Sequence, residues 1–216
     1  MRLVVLMLAM GWLVGCSAST DTTVAPPVSV EVEMDESAPI TVDVTSPVVG
    51  TEIALTPDNT LIQFVGTHVG PTPDPKARTG NFGDFQGSVN IADDDIAAIS
   101  VEIQMSSVST AMDKLTNHLQ APDFFDVRQF PTASFQTTRI ARDKDGKHMI
   151  TGNLTLHGET KEISFPAEVG MTDGQLDLLA TLTLDRTEFG MTQNTDNVNK
   201  EVALTIGIGK HATSAE

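Results

Sequence analysis

Eight short segments of the sequence alternate apolar and polar residues with a period of two. In residues 99–105, for example, Ile, Val, Ile and Met alternate with Ser, Glu and Gln. This period is that of a β-strand with one buried and one solvated face. The eight segments are residues 62–66, 85–91, 99–105, 133–137, 150–156, 163–169, 178–184 and 202–208. The alternation therefore predicts eight strands, each with one apolar face.

Most of these segments are joined by short turns. Asp145-Gly146, His157-Gly158 and Asp173-Gly174 are dipeptides of the kind found in tight turns. Short links favour antiparallel neighbours, because a parallel crossover needs about a dozen residues or more. We therefore expect an all-β fold, an eight-stranded antiparallel barrel in which closure removes exposed strand edges. A two-sheet sandwich is the alternative fold.

One connection, residues 110–131, has a helical pattern instead. Met112, Leu115 and Leu119 recur at spacings of three and four residues, and Pro122 suits the first position of a second short turn. This pattern predicts a short helical excursion between strands 3 and 4. Such a long connection either covers an opening and shapes a pocket, or plugs one end of the barrel.

The N-terminal residues resemble a bacterial lipoprotein signal. Arg2 precedes an apolar run, residues 3–14, which is shorter than the ~20 residues that a membrane-spanning helix needs. The run ends in Leu-Val-Gly-Cys16, which resembles a lipobox. The resemblance implies a signal peptide over residues 1–15 and lipidation of Cys16. Ser17, in place of an Asp, favours the periplasmic face of the outer membrane within the cell envelope.

The next stretch of the chain predicts an acidic tether over residues 16–50. It holds six acidic residues and four prolines, with no Lys, Arg or Phe. Such a composition cannot bury enough apolar surface to order itself. Residues 28–34 alternate, however, and are a candidate extra edge strand. All nine Phe lie in the remainder, residues 51–216, which we expect to form the barrel domain.

The charge and the motifs exclude several classes of protein. The chain has 13 Lys and Arg against 29 Asp and Glu. Nucleic acid is therefore not expected as a partner, because phosphate binding needs clustered cations. The sequence has no Gly-x-Ser-x-Gly elbow, zinc motif, phosphate loop or dinucleotide fingerprint. We expect no enzyme activity, no metal and no cofactor.

Seven motifs, taken in order, are similar to those of the YceI-like family. They are IQFVGTHVG (62–70), GNFGDFQG (80–87), SVST (107–110), HLQAPDFFDV (118–127), FPTASF (130–135), GNLTLHG (152–158) and LDRTEFGM (184–191). The resemblance implies a lipocalin-like barrel with a long apolar cavity. It also implies a periplasmic or secreted protein that binds a long isoprenoid lipid, such as a polyprenyl phosphate or an isoprenoid quinone. The proline-rich residues 71–75 and the N-terminal tether depart from the family pattern.

Inward positions of the strands and of the excursion supply candidate ligand contacts. The predicted cavity residues are Phe64, Gly66, Phe85, Met105, Leu119, Phe124, Phe135, Leu154, Phe165 and Leu182. Phe rings offer only apolar contact area, so the alternative is an ordinary packed core. His118 and Arg186 are the candidate head-group contacts, because a guanidinium can bind a phosphate through two hydrogen bonds. The alternatives are a core or capping role for His118 and an ion pair between Arg186 and a neighbouring acid.

Together, the resemblances to the YceI-like family and to a lipobox imply a membrane-tethered carrier that encloses an isoprenoid lipid. Burial of each CH₂ group of such a chain contributes ~0.8 kcal/mol. The predicted partners are the lipid and, through the N-terminal anchor, the membrane. A second copy of the chain, forming a homodimer, is a further candidate. The alternative functions are an envelope lipid hydrolase, with a site assembled from distant residues, and a filled barrel with a structural or adhesion role.

Overall fold

The computed structural model describes the backbone of residues 40–43 and all atoms of residues 50–70 and 75–213. The strands are β1 (Ile40–Asp43), β2 (Thr51–Leu55), β3 (Thr60–His68), β4 (Lys76–Phe82), β5 (Phe85–Ala92), β6 (Asp95–Gln104), β7 (Val108–Thr110), β8 (Thr132–Arg142), β9 (His148–Leu156), β10 (Glu159–Thr172), β11 (Gln175–Asp185) and β12 (Glu201–Ile208). One helix, α1, spans Asp113–Leu119. In this part of the chain no helix has the length and apolarity needed to cross a membrane.

Three pairs of consecutive strands are the halves of longer, bent strands. β2 pairs with β5 and β3 with β4, while β5 also pairs with β6 and β4 with β7, all antiparallel. The bend between β4 and β5 and the bend between β6 and β7 lie side by side. Backbone hydrogen bonds join them, from Gly83 N to Ser107 O at 3.3 Å and from Gln104 N to Asp84 O at 2.9 Å. Two neighbouring long strands therefore bend together and keep their pairing.

Counted as bent strands, the sheet closes on itself. The order is β2–β3, β4–β5, β6–β7, β8, β9, β10, β11 and β12, and β12 pairs back with β3. Every neighbour in this ring is antiparallel. The predicted all-β, eight-stranded antiparallel barrel is confirmed, and the sandwich is excluded. The structure divides the barrel into more strand segments than predicted because of the bends.

All eight alternating segments lie in strands, but the sequence pattern missed four strands. Met105 stands in a 3₁₀ turn, Met105–Ser107, rather than at a strand end. β4 was missed because its inward face includes Gly80, which breaks the apolar alternation. β1 (Ile40–Asp43) lies within residues 16–50 and pairs antiparallel with β8, and the acidic tether over that stretch stays a prediction. Cys16, the signal peptide and the candidate strand over residues 28–34 lie outside the described residues.

The helical excursion is confirmed, with one correction to its apolar face. Leu119 is buried, whereas Met112 precedes the helix and is 47% exposed. The hydroxyl of Thr116 accepts a hydrogen bond from the backbone N–H of Thr110 at 3.0 Å, which fixes α1 against β7. α1 connects β7 to β8 and therefore lies at the end of the barrel where β3 ends and β4 begins. We call this end the mouth.

The barrel interior contains two clusters of apolar side chains. The first, which we call the filled cluster, lies towards the end opposite the mouth and includes the fully buried Val89 and Ile150. The second, the mouth cluster, lies under α1 and includes Phe64, Phe82 and Leu119. The interior is therefore closed by packing at one end, and any space for a guest lies at the other.

Candidate functional site

A cavity of about 140 Å³ lies inside the mouth half of the barrel. Alternate residues of the strands point into it, and the excursion and the 184–198 segment complete its wall. Its lining is Ile62, Phe64, Gly66, Phe82, Ile103, Met105, Leu119, Phe124, Phe125, Ala133, Leu154, Leu156, Leu184, Arg186, Phe189, Met191, Val198, Val202 and Leu204. Arg186 is the one charged side chain of this wall.

The structure divides the predicted cavity residues between the cavity and the packed core. Those that line the cavity are Phe64, Gly66, Met105, Leu119, Phe124 and Leu154. Phe85 is buried in the mouth cluster without lining the cavity. Phe135, Phe165 and Leu182 belong to the filled cluster, where Phe135 and Phe165 pack with ring centroids 5.6 Å apart. None of these four residues lines the cavity, and ligand contact by the other residues stays a prediction.

Two glycines that face inward have opposite surroundings. A Cβ added at Gly66 would meet no atom within 4 Å, so this residue leaves open space at the cavity. Gly80 lies under the ring of Phe64, and a Cβ there would overlap the ring. Phe64 in turn packs with Phe82 and Phe125, at centroid distances of 5.6 Å and 6.0 Å. Gly80 therefore sets the position of an aromatic group that forms one cavity wall.

Arg186 is 4% exposed and binds backbone carbonyls rather than an acid. Its Nε donates to Asn199 O at 3.1 Å, and its Nη atoms donate to the carbonyls of Met191, Gln193 and Val198. Burial lowers the pKa of Arg186, and the nearby Asp185 opposes that shift. The expected ion pair with a neighbouring acid is absent among the described residues. Arg186 instead holds residues 191–199 against the barrel, where Met191 and Val198 line the cavity.

His118 lies on α1 outside the cavity wall. Its side chain is half exposed, its Nε2 lies 3.5 Å from a carboxylate oxygen of Asp123, and its ring meets the edge of Phe124 at 4.9 Å. Arg186 lies 5.9 Å from the centre of the same ring, so both candidate head-group residues adjoin Phe124, but only Arg186 lines the cavity. Within the described residues, no group of three His, Cys, Asp or Glu side chains is placed to hold a metal ion.

A second space of about 270 Å³ adjoins the cavity at the mouth, and we call it the basic mouth. It shares Phe64, Gly66, Leu119, Phe124 and Val198 with the cavity. Its outer lining adds His68, Lys76 and Arg78 with Thr67, Thr110 and Leu115. The pairing of β3 with β4 sets His68 opposite Lys76 and Gly66 opposite Arg78, so the three basic side chains share one hairpin.

Among residues 50–70 and 75–213, no acidic side chain lines the basic mouth, although the chain carries a net charge of −16. In residues 50–70 and 75–213, neither Lys76 nor Arg78 forms an ion pair. Cations without a partner carboxylate, placed beside an apolar space, favour an anion there. Lys76 and Arg78 could not be predicted as site residues because β4 has no strand pattern in the sequence. A possible signal was the pair of basic residues that directly follows the prolines of residues 71–75.

The fold and the cavity define a small antiparallel β-barrel with an apolar interior that opens at one end. The chain belongs to the YceI-like family, whose domain model matches residues 54–209. A UPF0312 protein of Pseudomonas aeruginosa is 31% identical over 137 residues, which cover 60% of this chain and 71% of the relative. A UPF0312 protein of Yersinia pestis is 36% identical over 92 residues, covering 42% and 47%.

Solved structures share the fold. BcnA of Burkholderia cenocepacia matches with a TM-score of 0.62 at 21% identity, over 69% of this chain and 94% of that one. The YCEI protein of Campylobacter jejuni matches with a TM-score of 0.54 at 26% identity, over 60% and 81%. A polyisoprenoid-binding domain of Saccharophagus degradans matches with a TM-score of 0.57 at 12% identity, over 74% and 97%.

Proposed function

We propose that this protein binds a long isoprenoid lipid, with the apolar chain in the cavity. The observation that carries the proposal is the apolar lining of the cavity wall. Its one charged group, Arg186, donates its hydrogen bonds to backbone carbonyls. An apolar guest loses no hydrogen bonds in such a space and gains ~25 cal/mol per Å² of surface removed from water. The Saccharophagus degradans domain of the same fold is a polyisoprenoid-binding domain, which supports this class of ligand.

The basic mouth supports an isoprenoid phosphate over an isoprenoid quinone. His68, Lys76 and Arg78 lie beside the cavity residues Phe64 and Gly66, where the polar end of a bound chain would emerge. A phosphate gains charge-assisted hydrogen bonds from Lys and Arg, whereas a quinone carries no charge to match them. The expected ligand is therefore a lipid with an apolar prenyl chain and an anionic head.

We further propose that Cys16 anchors the protein in the cell envelope, at the periplasmic face of the outer membrane. One acyl chain holds a protein only marginally, and two or more hold it firmly. An anchored carrier would exchange its lipid at a membrane surface and shield the enclosed part of the chain from water in between. Replacing Cys16 by Ser should move the protein from the membrane fraction to the soluble fraction.

Solvent extraction of the purified protein, followed by mass spectrometry, tests the ligand directly. The expected result is a prenyl lipid with a phosphate head. The stripped protein should then rebind a polyprenyl phosphate in a fluorescence or calorimetric titration. A protein that yields no prenyl lipid and ignores both added polyprenyl phosphate and added quinone would overturn the proposal.

A further inference from the structure

The wall of the barrel is open along one seam at the mouth end. β10 and β11 pair only from Ala167–Thr172 to Gln175–Ala180. The first eight residues of β10, 159–166, and the last five of β11, 181–185, do not pair with each other. Both stretches remain strands because β9 holds the first and β12 the second. We call the space between them the seam.

The sequence itself encodes this opening. Pro166 stands where the ladder from Ala167 and Ala180 would continue, and proline has no N–H to donate. Proline and charged residues also discourage an added β-strand at an exposed edge. Here Pro166, Asp185 and Glu188 all line the seam. The edge is therefore protected against a peptide strand, although its inner side chains Ile163, Phe165 and Leu182 are apolar.

The seam adjoins the cavity. It forms a space of about 460 Å³, and Leu184 and Phe189 line both this space and the cavity. A continuous series of lining residues thus leads from the basic mouth, through the cavity, to the seam. The cavity alone, at about 140 Å³, is smaller than the ~300–1,000 Å³ typical of ligand pockets.

We propose that the seam is a second opening, through which the distal end of a long prenyl chain leaves the barrel. This inference rests on the proposed isoprenoid-binding function. Charge fixes the orientation of the ligand, since Asp185 and Glu188 at the seam repel an anionic head whereas Lys76 and Arg78 at the mouth attract it. Chain length is then not limited by the interior, because only a middle portion of the chain has to be enclosed.

A disulfide across the seam tests this proposal in the full chain carrying Cys16→Ser, which leaves no other cysteine. Continuing the register of Ala167 and Ala180 sets Ser164 opposite Thr183, and both side chains are exposed. In the variant Ser164→Cys/Thr183→Cys, oxidation should leave the affinity for geranyl phosphate unchanged. It should weaken the binding of undecaprenyl phosphate by about tenfold or more. Reduction should restore the long-chain affinity.

The matched control places a disulfide between two strands that are already hydrogen-bonded to each other. Thr155 and Thr160 face each other on β9 and β10, with hydroxyl oxygens 2.8 Å apart. Oxidation of Thr155→Cys/Thr160→Cys should change neither affinity. Mass spectrometry must first show that the Ser164→Cys/Thr183→Cys disulfide has formed. If the oxidised protein then binds undecaprenyl phosphate as tightly as the reduced protein, the seam proposal is overturned, but the proposed function is not. If the reduced protein binds neither phosphate, the proposed function itself is wrong.

If the two strands do not approach and the disulfide does not form, a second measurement tests whether the prenyl chain reaches the seam. An environment-sensitive fluorophore on Thr183→Cys, in the same Cys16→Ser chain, should shift its emission with undecaprenyl phosphate but not with geranyl phosphate. An emission that ignores the long-chain lipid under saturating binding would overturn the proposal. If the emission instead changes with protein concentration in the absence of lipid, a second copy of the chain binds at the seam. This result would also overturn the proposal.

Discussion

The ring of Phe64 on β3 lies over the backbone of Gly80, its register partner on β4. This contact lets the ring lean along the barrel wall towards Phe82 and leaves the adjoining space at Gly66 open. A side chain at position 80 would push the ring into the cavity. The contact therefore connects a single glycine to the shape of the binding space.

Replacing Gly80 by Ala should destabilise the protein and weaken lipid binding. Overpacking a fixed interior costs ~1–3 kcal/mol, because the Phe64 ring must leave its place. Urea unfolding measures the loss, and a polyprenyl phosphate titration measures the affinity. Gly66→Ala is the matched control, since a Cβ there meets no atom within 4 Å. A Gly80→Ala variant as stable as the Gly66→Ala variant would show that the ring contact does not constrain the wall.

Arg186→Met should destabilise the barrel by about 2–4 kcal/mol, because carbonyls of residues 191–199 lose their buried donors. Chemical denaturation of the variant measures this loss. Proteolysis should also cut residues 191–199 faster than in the parent protein. Arg128→Met removes the same charge from an exposed position and should have little effect. Equal stability of the two variants would contradict the structural role of Arg186.

The acid stability of the protein should depend on Asp185. Hydrogen bonds from the hydroxyl and then the backbone N–H of Thr187 lower the pKa of Asp185. A lowered pKa in the folded state contributes stability that is present above the unfolded pKa, near ~3.9, and is lost as the pH falls through the folded pKa. Asp185→Asn should therefore flatten the decrease in stability below about pH 4. Urea midpoints measured across this range test it, with the exposed Asp58→Asn as control.

Period-two alternation was sufficient to predict the barrel because eight of its segments follow the rule of one buried and one wet face. The alternation could not reveal β4. There Gly80 has no side chain to contribute to the apolar face and instead leaves room for the Phe64 ring of the neighbouring strand β3. The role of Arg186 was also hidden, because its partners are carbonyls of residues 191–199, and a backbone contact leaves no trace in residue types.

The division between cavity and packed core was equally out of reach of the sequence. Phe64 and Phe135 have the same residue type and the same inward position in a strand, yet only Phe64 lines the cavity. Phe135 packs against Phe165 of β10 instead, and which rings meet depends on the register of every pair of strands. The same register sets His68, Lys76 and Arg78 around one opening, although Lys76 and Arg78 belong to a strand that the sequence did not predict.

The double variant Lys76→Gln/Arg78→Gln should lower the affinity for a polyprenyl phosphate by at least about tenfold, which corresponds to ~1.4 kcal/mol. Its affinity for the uncharged polyprenyl alcohol should not change, because the apolar chain lies in the cavity and not among the basic side chains. Titration of both lipids at two salt concentrations measures the difference, and added salt should weaken phosphate binding by the parent protein but not by this double variant. Lys144→Gln/Lys147→Gln removes the same charge at the turn between β8 and β9, at the opposite end of the barrel, and should leave both affinities unchanged. Equal phosphate affinity in the two double variants would show that the basic mouth does not bind the head group.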